Sequence, residues 1–356
     1  MRDKITRRSA RGIATAVLLT LSLSSTAALA AEKKAFKVGW SIYVGWMPWG
    51  YASDAGIVKK WADKYGITIE VKQFNDYIES INQYTSGGID AVTVTNMDAL
   101  SIPAASGVDT TAVIVGDYSN GNDAVILKNA DNLAAIKGRM VNLVELSVSH
   151  YLLARALDTV GLGEADLKLI NTSDADIASA FKTPEVTAVV TWKPIVSTIL
   201  ESPDAKKVFD SSQIPGEIID LMVANTEVVK DNPNFAKALV GIWYEVVSNL
   251  ANDAAAKDAM AKASATDVKG FEEQLATTKL FADPKDAIAF AKSADLKVKS
   301  ELVSKFLFEK SLLGTTAKGA GAIGIAFPDK SIFGAIDNVK FRYDTTYMEL
   351  AADGKL

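Results

Sequence analysis

From Phe36 onward, short apolar runs alternate with amphipathic stretches of helical period, and this alternation narrows the possible folds more than any other feature of the chain. Residues 36–40 predict a buried strand. Ile57, Trp61 and Tyr65 recur at four-residue spacing, which predicts a helix over 50–65 with Gly66 as its stop. Ile67, Ile69 and Val71 alternate with polar neighbours, as a strand over 67–73 would. Asp76 followed by Glu79 has the form of a capping box, opening a helix that Gly87-Gly88 ends. Strands are predicted at 91–95 and 111–115 around a short helix at 98–106. After a turn-rich stretch at 117–123 the pattern restarts, with strands at 124–127, 141–144, 167–171 and 188–191 and helices at 149–160 and 174–182. A strand-like 220–225 precedes an Ala-rich, mostly helical remainder from Pro233, broken at Pro284 and around 314–324. Such alternation implies parallel sheets covered on both faces. The expected fold class is α/β: two lobes, a cleft between them, and crossings at 118–123 and 222–225. The expected division is 31–120 in the first lobe, 121–222 in the second, and 223–356 returning to the first lobe as a helical C-terminal region.

The first thirty residues read as an export leader rather than as part of the fold. Arg2, Lys4, Arg7, Arg8 and Arg11 form a basic head, 13–28 is apolar, and Ala28-Leu29-Ala30 is an A-x-A cleavage signal, so cleavage is expected after Ala30. The alternative, an N-terminal anchor, meets the difficulty that the apolar run is short for a span. Residues 1–30 carry five bases and one acid, so their removal takes the formal charge from −5 to −9. That balance argues against a nucleic-acid partner. The absence of cysteine excludes disulfides, thiolate metal sites and a Cys nucleophile.

Two segments stand out for their chemistry. The run WSIYVGWMPWGY places Trp40, Tyr43, Trp46, Trp49 and Tyr51 within twelve positions. From Gln73 to Leu127 the chain has seven carboxylates and no Lys or Arg. Aromatic faces and carboxylates both attract cations. Ligands of open parallel sheets sit beyond the carboxyl ends of the strands. That rule selects the loop after Trp40, then 74–76, 96–98 and 117–120, and from the second lobe 145–150, 172–174 and 191–192.

The order of these segments, with KVGW after the leader, SGGIDAVTVTNMDAL, GDYSNGNDAVILK, NLVELSVSHYLLARALDTVGL and VVTWKP, resembles the periplasmic substrate-binding proteins of ABC importers in the nitrate, sulfonate and taurine group. Within it, WSIYVGWMPWGYA and TNMDAL look most like the urea-carboxylase-associated branch, which is linked to urea and, through enzymes of its type, to guanidine. The resemblance covers roughly 36–199. It implies the bilobal type II binding-protein fold, capture of a small molecule in the periplasm, and delivery to a permease with its cytoplasmic ATPase. It implies no cofactor and no chemistry on the ligand; a monomer is expected. The departure from the anion-binding members is that the expected contact segments carry Asp98, Asp117 and Glu145, with only Lys193 basic nearby.

The candidate ligand residues are Tyr43, Trp46, Trp49, Asn96, Asp98, Asp117, Glu145 and Trp192. Guanidinium needs a carboxylate at its edge and an aromatic face, and these residues offer both. Each also has an ordinary structural reading. The rings can be packing, Asp117 can brace a turn, Asp98 can stabilise a helix start, and Glu145 can be a loop carboxylate. Asp76 and Glu79 read as a capping box, and His150, the single histidine, as a capped or partly buried residue. The expected function is capture of guanidinium first and urea second. An anion such as nitrate, taurine or another sulfonate is the alternative ligand. A pyrimidine-synthase-like enzyme is the alternative class, against which stands the absence of G-x-S-x-G, H-E-x-x-H and phosphate-loop motifs.

Overall fold

The computed structural model describes residues 33–356; the expected leader and its cleavage site lie outside them. The described strands are β1 (Ala35–Ser41), β2 (Thr68–Phe74), β3 (Ala91–Thr95), β4 (Thr110–Ser119), β5 (Ala124–Lys128), β6 (Met140–Leu143), β7 (Lys168–Asn171), β8 (Ala188–Thr191), β9 (Ala205–Asp210), β10 (Ile219–Asn225), β11 (Thr278–Leu280), β12 (Gly324–Ala326), β13 (Ile332–Phe333) and β14 (Val339–Tyr343). They form two sheets. The larger has the order β13-β12-β14-β4-β10-β3-β1-β2, with β11 added on β4; the smaller has the order β7-β6-β8-β5-β9. The molecule is the bilobal α/β fold that the alternation predicts.

In the larger sheet β1 runs parallel to β2 and β3, as strand–helix–strand connections require. β10 lies antiparallel between β3 and β4. The chain therefore leaves the larger sheet after Ser119, builds the smaller sheet, and returns between Asp210 and Ile219. The return expected at 222–225 falls inside β10, and a lobe boundary after 222 would cut that strand. The local signal for a strand at 220–225 is correct, but which sheet receives it is decided by non-local pairing.

Three other elements differ from expectation for local reasons. The helix expected over 50–65 is two, Met47–Asp54 and Ile57–Lys64, separated at Gly56, whose φ of 76° no β-carbon-bearing residue adopts easily. The helix expected at 98–106 starts at Asn96 and loosens into a π turn, Leu100–Ala104, around Pro103, which has no N–H to donate. Residues 324–343, expected to be mostly helical beyond the break around 314–324, supply β12, β13 and β14.

The helix Pro233–Val247 packs along the larger sheet with eleven buried residues, which anchors the aromatic segment from behind. Phe235 stacks on Phe36 with ring centroids 4.2 Å apart, and Trp243 stacks on Trp49 at 5.8 Å. Truncating a buried ring of this kind costs about 3–5 kcal/mol, so this face fixes the loop that β1 feeds.

A candidate ligand pocket between the lobes

The chain leaving β1 enters a short 3-10 turn, Val44–Trp46, before Pro48 starts the next helix. This turn directs Tyr43 and Trp46 into a tight pocket between the two sheets. Tyr77, the first residue of the helix capped by Asp76, and Trp192, just past β8, complete an aromatic arc. Ring centroids along it are 5.0 Å apart for Tyr43–Trp46, 5.7 Å for Trp46–Tyr77 and 5.5 Å for Tyr77–Trp192. The arc draws on both lobes.

Carboxylates supply the polar wall. Asp220 and Asp123 line the pocket, and no Lys or Arg does. Asp117 stands behind Tyr43, whose hydroxyl donates to its Oδ1 at 2.9 Å. Asp98 stands behind Tyr77, whose hydroxyl donates to its Oδ2 at 2.7 Å. All four acids are at most 3 % exposed. Burial raises Asp98 to about 6 and Asp123 to about 7, against hydrogen bonds from Tyr77 and Ser119 respectively that act the other way. Asp117 and Asp220 are also raised by burial, and Asp220 further by the negative charge of Asp117. One oxygen each of Asp98, Asp117 and Asp220 has no hydrogen-bond partner among the described residues. Close packing at this corner depends on Gly45: a Cβ there would lie 2.7 Å from Asp117 Oδ2 and 2.4 Å from the Tyr43 ring.

The lobes touch around the pocket. Trp192 Nε1 donates to the Ile42 carbonyl at 3.0 Å, and Val44 N to the Lys193 carbonyl at 3.3 Å. Val148, at the start of the helix Val148–Thr159, gives its N–H to Asp98 Oδ2 at 3.3 Å, so a first-lobe carboxylate occupies the positive end of a second-lobe helix. Tyr77 N donates to Asp174 Oδ1, and the Ser173 hydroxyl to Asp76 Oδ2. Farther out, Arg155 grips Glu217 with Nε at 2.8 Å and Nη2 at 3.1 Å, while Glu164 accepts from Lys310 and meets His150 Nε2 at 2.9 Å.

Of the eight residues singled out from sequence, Tyr43, Trp46 and Trp192 line the pocket, and Asp98 and Asp117 lie one hydroxyl behind it. Three fall outside its lining. Trp49 is buried against Trp243. Asn96 bridges the Glu217 carbonyl and Ile219 N, both at 3.1 Å, bracing the return crossing. Glu145 borders a separate outer groove with Asp76 and Glu79. Asp117 sits within β4 rather than on a turn, because β4 runs to Ser119. Asp76 does cap its helix, accepting from Glu79 N at 2.8 Å. His150 is 4 % exposed, its Nδ1 accepting from Leu146 N. The residues sequence reasoning missed are Tyr77, Thr95, Asp123, Val148, Ile218 and Asp220. Tyr77 lies one position past a selected strand end and Asp123 is among the seven counted acids, so both were within reach. Asp220 was hidden because the expected boundary after 222 left it in the second lobe.

Known proteins place this architecture. A binding protein of Brucella abortus (strain 2308) is 24% identical over 235 residues, 65% of this chain and 71% of that protein. The alkanesulfonate-binding protein of Xanthomonas axonopodis pv. citri, solved with MOPS, superposes with a TM-score of 0.67 at 18% identity, covering 82% of this chain and 99% of its own. The periplasmic nitrate-binding protein of Synechocystis PCC 6803 superposes at 0.58 with 13% identity, covering 91% and 99%. These relatives are binding proteins. The NMT1-like family matches residues 30–265, which is most of the two-sheet body, and the chain belongs to that family.

Proposed function

We propose that this protein is the periplasmic solute-binding component of an ABC importer, and that it captures a small nitrogen-rich solute, guanidinium first and urea second, for a permease and its ATPase. The observation that carries the reading is the pocket wall: two carboxylates line it, two more back it, an aromatic arc faces them, and no Lys or Arg is present. Guanidinium is planar, weakly hydrated and charged at physiological pH. A carboxylate such as Asp220 suits its N–H edge, and the faces of Trp46 and Trp192 suit its plane, each worth about 0.5–2 kcal/mol. The capture step is rotation of the lobes about the two crossings, with the ligand favouring the closed arrangement. The family resemblance and the binding-protein relatives support the importer role.

A second reading has one specific observation behind it: the sulfonate- and nitrate-binding relatives take anions. An anion here would face Asp220 and Asp123. At about 4 Å and an effective dielectric near 20, one like-charge pair costs about 4 kcal/mol. The test is isothermal titration of residues 31–356 with guanidinium chloride, urea, nitrate and taurine in parallel. Saturable one-to-one guanidinium binding, with urea weaker, is the expected result. Binding of an anion alone would overturn the cation reading.

A further inference from the structure

Asp117 and Asp220 sit directly opposite one another on neighbouring strands, in register across the β4–β10 ladder. Opposed side chains in such a pair share one face of the sheet and lie within contact distance. Both are buried, one oxygen of each has no hydrogen-bond partner among the described residues, and the negative charge of Asp117 bears on Asp220. Two buried acids opposed in this way avoid like-charge repulsion when one of them carries a proton. We propose that the Asp117–Asp220 pair holds one shared proton in the ligand-free protein and gives it up when a cation enters the pocket, so that capture is an exchange of one positive charge for another.

This rests on the cationic reading above and adds a property to it. The groups facing the pair make the exchange workable. On the β1 side the Tyr43 hydroxyl donates to Asp117 Oδ1 and lies 3.4 Å from Thr278 Oγ1 of β11. From the first crossing, Asp123 bears on both members and, where ionised, favours retention of the proton. Beside Asp220 lies a small cavity whose walls include Trp46, Trp243 and Thr93. The indole N–H groups of both tryptophans and the Thr93 hydroxyl have no partner among the described residues. These are neutral donors, and no base is among the groups that act on the pair. Two carboxylates so close cannot both stay ionised without a counter-charge. A bound cation supplies that charge, after which the proton is the less stable occupant. Exchange leaves the net charge of the buried site unchanged, avoiding the cost of adding an uncompensated charge to a closed pocket. A neutral ligand such as urea supplies no charge and leaves the proton in place.

The experiment is titration calorimetry of the wild-type protein with guanidinium chloride and with urea at about pH 6, in buffers of different ionisation enthalpy, repeated at higher pH. The expected result is release of about one proton per guanidinium, none per urea, and a guanidinium affinity that rises by up to about tenfold per pH unit. Asp117→Asn should abolish both the release and the slope. Guanidinium binding without proton release, or release that persists in Asp117→Asn, overturns the exchange and leaves the ligand reading standing. If guanidinium does not bind at all, the ligand reading fails. Carboxyl carbon-13 NMR of the ligand-free wild type then decides the pair by itself. A protonated carboxyl carbon that titrates upward of the ordinary aspartate range supports the shared proton; fully ionised signals throughout overturn it.

Discussion

Two groups of acids lie where the same two lobes meet, in opposite surroundings. In the pocket, Asp98, Asp117, Asp123 and Asp220 have tyrosine and serine hydroxyls, backbone N–H groups and each other for company. At the outer edge, Glu217 has Arg155, and Glu164 has Lys310 with His150 beside it. Burial raises the first group; hydrogen bonds from His150 and then Lys310 hold Glu164 down at about 2. The outer acids meet basic partners of the protein's own, whereas the inner ones have none among the described residues. Charge on a cleft wall indicates ligand recognition only where it lacks a partner from the protein itself.

The sharpest way to break this comparison is Asp220→Asn. Removing one member of a buried charge pair costs about 2–5 kcal/mol, so guanidinium affinity should fall by two orders of magnitude or so, and urea affinity far less. Equal losses in calorimetry would mean that Asp220 acts only as a hydrogen-bond acceptor. Arg155→Ala attacks the other group. It strands the Glu217 carboxylate, itself 7 % exposed, and should cost about 1–3 kcal/mol. Because this loss falls on lobe contact, guanidinium and urea should weaken by the same factor; a charge-dependent loss would merge the two groups into one site.

Acidity sharpens the contrast. The native protein keeps protons on Asp98 to about 6 and on Asp123 to about 7, whereas the unfolded chain releases them near the ordinary value of 3.8. The folded state therefore binds more protons in this window, and ligand-free stability should fall as pH rises from about 4 to 7, by roughly 1 kcal/mol per unit for each group while it titrates. Glu164 has the opposite sign: its contribution is present above 4.5 and is lost only as pH falls through about 2. Denaturant unfolding at pH 5 and pH 8 reads the first effect, and Asp98→Asn should reduce it by the share of that group. A stability that rises over this range would contradict the assignment. The smallest change is expected from Glu164→Gln, about 1 kcal/mol or less for a partly exposed pair, with ligand affinity within a few-fold of the parent.

Much of the pocket was legible because its aromatic members cluster in one loop at a strand end, where topology alone directs them to the cleft. The acids were half legible. Asp98 and Asp117 follow predicted strands, and Asp76 declares its capping role through Glu79. Asp220 was not legible as a neighbour of Asp117, since 103 residues separate partners that the β4–β10 register brings face to face. Trp49 could not be told from Trp46 by pattern. Three positions apart on one short segment, one ring faces the cavity while the other faces Trp243, and only the helix packed behind decides which.

β10 lies beside β4, and the entire smaller lobe is spliced between them. Ser119 N reaches the Ile218 carbonyl at 3.0 Å, so the insertion begins and ends a single hydrogen bond apart. In engineering terms the second lobe is a cassette set into what would otherwise be a plain β-hairpin. Joining the strands there with a tight turn should leave a one-lobed protein that retains the Asp117–Asp220 pair and lacks Trp192 and Val148. A soluble product with native-like circular dichroism and no ligand affinity would separate the half that folds the site from the half that shuts it.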